Sequence, residues 1–169
     1  MARLRPEREP RSTLIQDCGL ALPPQGRAAW LGDTHFVAAA AAAIPVWLGL
    51  SMAFGEHMQG VAGWSAWISF VLVLPIAEEL VFRGVLQGQL LRLSSARRMG
   101  PLTLANICTT VGFVAMHLPT QPPLWALVVA VPSIVFGHLR ERFASVLPAM
   151  LLHAFYNAGF ALTAWWVHR

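Results

Sequence analysis

Charged residues are scarce in this sequence, at 12% of its 169 residues, whereas 56% are hydrophobic. A soluble domain of this length could not bury so many apolar side chains, so the composition excludes that class and predicts an integral membrane protein. Lysine is absent. All twelve basic residues are arginines that stand between apolar runs, with no basic face of interleaved aromatics, so a nucleic-acid partner is not expected.

Cysteine is nearly absent as well. Cys18 lies in a polar segment and Cys108 in an apolar run, so neither a disulfide framework nor a CxxC metal site is predicted, and the sequence has no HExxH zinc motif. The first 33 residues carry five arginines and four prolines and have no apolar core long enough for a signal peptide. Residues 1–34 are therefore predicted to be a disordered, basic, cytoplasmic tail. No cofactor is expected.

Five apolar stretches approach the roughly 20 residues that a membrane-spanning helix needs. The second is too long for one straight crossing, so tilt or a break near Pro75 is expected, and the third and fourth are short and joined by a turn over His117–Pro123. The predicted fold class is all-α: a polytopic transmembrane helical bundle of about five spans, formed by residues 35–169 as a single membrane-embedded domain. The stretches are Phe36–Phe54, Val61 to about Leu91, Leu102 to about Met116, Leu124 to about Leu139, and Ala144–Val167.

The placement of arginine predicts the orientation, because cytoplasmic loops carry the excess of basic residues. Ten of the twelve arginines lie in the N-terminal segment and in the segments after the second and fourth stretches, whereas the opposite connections carry none. The N-terminus is therefore predicted to be cytoplasmic. The exclusive use of arginine and the absence of an organelle signal favour the inner membrane of a bacterium, while the oligomeric state stays open.

Two glutamates and an arginine stand inside the second stretch, although each ionisable group at depth costs at least a few kcal/mol. Glu79 and Arg83 are four residues apart on one helical face, in the order that favours pairing, so an internal ion pair is predicted. Glu78 lies about 100° around the helix from Glu79 and needs another partner.

Histidine and asparagine side chains lie at a compatible depth on other helices. His153 and Asn157 share one face of the fifth stretch and His117 closes the third; taken alone, the first two suit hydrogen bonding between helices and His117 suits a polar cap. Counted from the cytoplasmic ends, Glu78 lies about 20 Å deep, His153 about 14 Å, Asn157 about 20 Å and His117 about 24 Å. This set on three helices favours a functional site over scattered core polarity.

Three short motifs follow one another on the apolar stretches. EELVFRG at Glu78–Gly84 matches EExxxR, FVAMH at Phe113–His117 matches FxxxH, and HAFYN at His153–Asn157 matches HxxxN. Each motif is weak alone. Together they resemble the signature of the CAAX protease and bacteriocin-processing family, also called the Abi family. The resemblance covers residues 61–157, and the chain is shorter than many members, which leaves the type of substrate open.

The resemblance implies a glutamate-dependent intramembrane endopeptidase that acts near the C-terminus or membrane-associated end of a protein or peptide. It implies that Glu78 is the general base that activates water and that His117 holds this water. His153 and Asn157 would form the oxyanion hole, with the pair Glu79–Arg83 in support. No metal is part of this mechanism.

Two other interpretations stay open. Glu78, Glu79, His117 and His153 could surround a zinc ion with three protein ligands and an open position, as in a metalloprotease. The chain could instead be a non-catalytic bacteriocin-immunity or peptide-binding membrane protein in which the polar cluster serves packing. An ion pathway is less suited, because these groups gather in one layer and do not cross the bilayer.

Overall fold

The computed structural model describes residues 14–24, 26, 28–58, 60–94 and 97–169 and is mostly helical, as predicted. Short 3₁₀ turns cover Ala29–Gly32 and Gly55–His57, and a small hairpin pairs β1 (Arg98–Met99) with β2 (Leu102–Thr103). The helices are α1 (Leu14–Asp17), α2 (Thr34–Phe54), α3 (Trp64–Leu93), α4 (Leu104–His117), α5 (Pro123–Val128), α6 (Ala130–Phe143) and α7 (Leu147–Val167).

Three helical stretches within the described residues are long and apolar enough to cross a membrane. They are α2, α3, and α5 together with α6, while α4 is apolar but shorter. Each of the five predicted stretches contains a helix, and the helix ends differ from the predicted ends by a few residues. The count of five spans and the cytoplasmic N-terminus stay predictions.

Helix α2 begins at a capped and paired aspartate. Oδ1 of Asp33 accepts hydrogen bonds from the backbone N–H groups of His35 at 2.9 Å and Phe36 at 3.4 Å, which satisfies donors that a helix start leaves free. Arg142, near the end of α6, donates to both carboxylate oxygens at 2.7–3.1 Å. These hydrogen bonds from Arg142 lower the pKa of Asp33 to about 2. The contact fixes the start of α2 against the end of α6.

Helix α3 runs past Pro75 without the expected break because its winding changes. Its α-helical parts alternate with π-helical turns at Ser69–Val73 and Leu80–Leu86. Proline has no N–H and crowds the carbonyl four residues earlier. For Pro75 that carbonyl belongs to Val71, inside the first π-helical turn, and the wider turn accommodates the ring.

The interior is built by α7, which packs against α2, α3 and α6, and by α4, which packs against α3 and α6. Gly159 of α7 lies against the ring of Trp47 of α2, and a Cβ at this glycine would overlap that ring. Because Gly159 has no side chain, α2 and α7 can approach each other closely here. An apolar core cluster contains Trp30, Phe36, Phe136, Leu139, Phe143, Ala149 and Leu152.

The described part of the predicted disordered tail is packed against the bundle. Asp17 pairs with Arg92 at 2.8 Å, and its backbone carbonyl accepts a hydrogen bond from the buried Arg140 at 2.8 Å. The carbonyl of Gly19 accepts from the backbone N–H of Val146 at 2.9 Å. The segment is held because its carbonyls satisfy the buried guanidinium of Arg140 and a backbone N–H that the start of α7 leaves free. Residues 1–13, 25 and 27 lie outside the described residues.

We expect Gly159→Ala to lower the free energy of unfolding by about 1–3 kcal/mol, because the new Cβ forces the Trp47 ring out of place. Gly49→Ala in α2 is the matched control, since nothing lies within 4 Å of a Cβ there. Alanine at that position should be neutral or stabilise by up to about 1 kcal/mol. Unfolding in detergent, followed by circular dichroism, measures both variants, and equal effects would contradict the close contact of α2 with α7.

Candidate active site

A buried polar cluster lies where α3, α4, α6 and α7 pack together. Four of the six residues predicted for the site are in direct contact there, and the other two lie at the edge of the cluster. The four are Glu78, Glu79, Arg83 and His153, and the two at the edge are His117 and Asn157.

Glu79 is the centre of this cluster, and its side chain is 0% exposed. Its Oε1 accepts a hydrogen bond from Nη1 of Arg83 at 3.0 Å and another from Nδ1 of His153 at 2.9 Å. The ion pair predicted from the four-residue spacing is present. It also has a third member, His153, which the spacing does not indicate.

The guanidinium of Arg83 is surrounded by groups that replace water. Its Cζ lies 4.5 Å from the ring centroid of Phe113 and 5.3 Å from that of Phe136. Nη2 donates to the backbone carbonyl of Ser133 at 3.1 Å and to its Oγ at 2.8 Å. Cation–π contacts and hydrogen bonds thus hold this buried charge in one orientation.

The two ring nitrogens of His153 face different carboxylates. Nδ1 faces Oε1 of Glu79, which also accepts from Arg83, so this hydrogen bond assigns a proton to Nδ1. In the neutral imidazole Nε2 then has a lone pair, and this atom lies 3.8 Å from Oε2 of Glu78. The ring also stacks on Phe136, with centroids 4.8 Å apart. The orientation of His153 is therefore set from its Nδ1 side.

Glu78 has a different environment from Glu79, its neighbour in sequence. Its side chain is 21% exposed, and His153 is its ion-pair partner within the described residues. It also interacts electrostatically with His117 and more weakly with Arg83. Because Arg83 is directly paired with Glu79, the carboxylate of Glu78 is left without an arginine partner and is partly exposed.

His117 and Asn157 are each anchored to a backbone carbonyl. Nδ1 of His117 donates to the carbonyl of Phe113 at 2.8 Å, which leaves Nε2 as its free nitrogen. Nδ2 of Asn157 donates at 2.9 Å to the carbonyl of Phe70, in the first π-helical turn of α3. Within the described part of the chain, no hydrogen bond joins either residue to Glu78.

Two hydroxyl groups belong to the cluster although the sequence pattern does not single them out. Ser133 of α6 accepts from Arg83 and donates to Oγ1 of Thr110 of α4 at 3.0 Å. Serine and threonine are frequent in membrane helices, and their hydroxyls are not ionisable. Only their contacts in the folded structure distinguish Ser133 and Thr110 from the other serines and threonines of the chain.

The described ranges contain no group of three or more His, Cys, Asp or Glu side chains arranged to hold a metal ion. Of the residues named for zinc, Glu79 already accepts hydrogen bonds from Arg83 and His153 through one oxygen.

A half-buried carboxylate on a helix able to cross a bilayer, beside an oriented imidazole, is the arrangement of an integral membrane protein with a candidate hydrolytic site. Residues 60–159, more than half of the chain, match the family model of the Rce1-like type II CAAX prenyl endopeptidases. The chain belongs to this Rce1-like family, which is consistent with the resemblance found in its motifs. The family is one of CAAX-type intramembrane proteases, and membership implies a peptide or protein substrate at a membrane. No curated protein and no solved structure matches the chain.

We expect Arg83→Met to lower the free energy of unfolding by about 3–5 kcal/mol, because it leaves Glu79 buried without its arginine. Arg92→Met provides the control: its pair with Asp17 leaves the Arg92 side chain 53% exposed, so the loss should stay within about 1 kcal/mol. Denaturant unfolding in detergent compares the two variants. A loss at Arg83 no larger than that at Arg92 would show that the buried pair does not stabilise the bundle.

Proposed function

We propose that this chain is a glutamate-dependent intramembrane endopeptidase that cleaves a peptide bond near the C-terminus, or the membrane-associated end, of a protein or peptide. Family membership supports the protease class. The observation that carries the proposal is the contact of 3.8 Å between Oε2 of Glu78 and Nε2 of His153, beside a Glu79 already paired with Arg83. In this proposal the carboxylate of Glu79 neutralises Arg83, and the carboxylate of Glu78 is available to water.

Glu78 is the general base in this proposal. It accepts a proton from a water molecule, whose oxygen attacks the carbonyl carbon of the scissile bond. The C–N bond then breaks, and Glu78 returns the proton to the leaving amine nitrogen. Nε2 of His117, free because Nδ1 donates to Phe113, is assigned to hold the water from the other side.

His153 and Asn157 stabilise the oxyanion in this proposal. Since the Nδ1 proton of His153 is donated to Glu79, Nε2 can donate to an oxyanion only when it also carries a proton. The oxyanion-binding form therefore has an imidazolium, which the negative charge of Glu79 stabilises after Glu78 has taken the proton from water. Asn157 has one amide N–H engaged by Phe70 and a second one available.

The family description names a prenyl endopeptidase, so a prenylated C-terminal peptide is the first substrate to test. A bacteriocin leader and a C-terminal sorting signal are further candidates of the same chemical class. We place the enzyme in the inner membrane of a bacterium with its N-terminus in the cytoplasm, where the bilayer and the substrate are its partners.

We expect Glu78→Gln to reduce peptide cleavage by a factor of about 100 or more, because the amide cannot accept a proton from water. The assay compares wild type and variant in liposomes on a panel of prenylated C-terminal, leader and sorting-signal peptides, with and without a strong chelator. Glu56→Gln is the matched control, since Glu56 is exposed in the turn after α2. Wild-type and control activity should survive the chelator.

Other outcomes would assign other functions. Loss of cleavage on chelation, restored by zinc, would make the chain a metalloprotease. Full activity of Glu78→Gln would exclude this residue as the base. If no peptide is cleaved and a cellular phenotype survives Glu78→Gln, the binding or immunity function would replace catalysis.

A further inference from the structure

A chain of buried hydrogen bonds runs from α4 through α6 and α3 to α7. Oγ1 of Thr110 donates to Oδ1 of Asn106 at 3.3 Å, and Oγ of Ser133 donates to Oγ1 of Thr110 at 3.0 Å. Arg83 donates to Ser133 at 2.8 Å and to Glu79 at 3.0 Å. Glu79 then accepts from His153, the residue that faces Glu78. The chain thus connects four helices and ends at the candidate active site.

The direction of the protons in this chain follows from its two ends, because the guanidinium of Arg83 can only donate and the amide oxygen of Asn106 can only accept. Since the hydroxyl proton of Thr110 is used at Asn106, the hydrogen bond between Ser133 and Thr110 must use the proton of Ser133. Thr110 accepts that proton and passes its own to the amide oxygen of Asn106. This arrangement gives the hydroxyls of Ser133 and Thr110 one donor and one acceptor each, which makes this part of the chain specific. Oε2 of Glu79 and Nε of Arg83 have no hydrogen-bond partner within the described residues.

The far end of the chain is anchored on both sides. Nδ2 of Asn106 donates to the carbonyl of Ile134 on α6 at 3.1 Å, and its backbone N–H is capped by Oγ1 of Thr103 at 3.0 Å. A Cβ at Gly137 would overlap the amide of Asn106, so a glycine is needed for this contact. The amide oxygen of Asn106, at which the chain of hydrogen bonds begins, is therefore held in one position.

We propose that Thr110 and Ser133 are positioning residues of the active site: through Arg83 and Glu79 they hold the His153 ring with Nδ1 protonated and Nε2 facing Glu78. Neither residue belongs to the three motifs. Ser133 keeps Arg83 from turning toward other acceptors, and Arg83 in turn holds the Glu79 oxygen that takes the Nδ1 proton. The effect on catalysis rests on the proposed function, but the effect on His153 does not.

The test uses Ser133→Ala, which removes the hydroxyl acceptor of Arg83 but keeps the backbone carbonyl, and Thr110→Val, which removes the next link without a change of shape. Thr109→Val is the matched control: Thr109 is the preceding residue of α4, equally buried, and its hydroxyl has no hydrogen-bond partner within the described residues. Thr110→Ser keeps the hydroxyl and is the conservative rescue. The full-length protein is used throughout, in detergent micelles.

Two measurements are made on each variant. The first is kcat and KM on a peptide that the wild type cleaves. The second is nitrogen NMR of protein labelled at its six histidines, which reports which ring nitrogen of His153 is protonated, with His153→Gln to assign the signal. We expect Ser133→Ala and Thr110→Val to lower kcat by about tenfold, a size seen for groups that orient active-site ligands. KM should stay within about twofold, and the His153 signal should show both tautomers.

Thr109→Val and Thr110→Ser should retain the wild-type kcat and the single Nδ1-protonated form. Equal behaviour of Thr110→Val and Thr109→Val would overturn the proposal, and so would a loss of kcat with an unchanged His153 signal. If the wild type cleaves no peptide, the proposed function fails, and the NMR signal alone decides whether Thr110 and Ser133 position His153.

Discussion

Glu79 and Arg83 are both fully buried, and many contacts in the bundle offset the free-energy cost of burying these two charges. Burying an ion costs several kcal/mol, and the attraction between two buried ions repays this only if their remaining protons and lone pairs are satisfied. Here α4 and α6 supply aromatic rings over the guanidinium, α6 supplies a serine, and α7 supplies a histidine to the carboxylate. These groups satisfy most but not all of the pair, since Oε2 of Glu79 and Nε of Arg83 have no hydrogen-bond partner within the described residues. A pair whose partners come from four helices also fixes how those helices meet. This constraint lets one glutamate be neutralised while the adjacent one stays partly exposed.

The winding of α3 gives the neighbouring helices their attachment points. A π-helical turn widens the helix and makes its carbonyls accessible to side-chain donors. One such turn precedes the two glutamates and the other follows them. In the first, the carbonyl of Phe70 accepts from Asn157 of α7, and in the second the carbonyl of Arg83 accepts from Nε of Arg140 of α6 at 3.2 Å. The segment that carries the glutamates is thus held on both sides by contacts to other helices.

The N-terminal segment packs against α3 at two glycines of that helix. A Cβ at Gly88 would overlap the carbonyl of Asp17, and one at Gly84 would lie 3.3 Å from the carbonyl of Cys18. Glycines spaced four residues apart allow this backbone to approach closely. Arg140 donates to the carbonyls of both Asp17 and Arg83, so its guanidinium joins the N-terminal segment to the second π-helical turn. Contacts of this kind place the residues near Asp17 against α3 and α6, although their composition is typical of a tail.

The sequence by itself determined the helices and the local part of the site. Apolar length placed helices in all five predicted stretches, and the four-residue spacing of Glu79 and Arg83 predicted their pairing, because both depend on neighbours along one helix. Only the tertiary structure decided the partner of His153, which is separated from Glu79 by 74 positions, and the role of Ser133, separated from Arg83 by 50. Such contacts arise from how helices pack, and hydroxyl groups and backbone carbonyls carry no pattern that would reveal them in a single sequence. The π-helical turns and the docking of residues 14–24 depend on the same non-local contacts, which is why they also appear only in three dimensions.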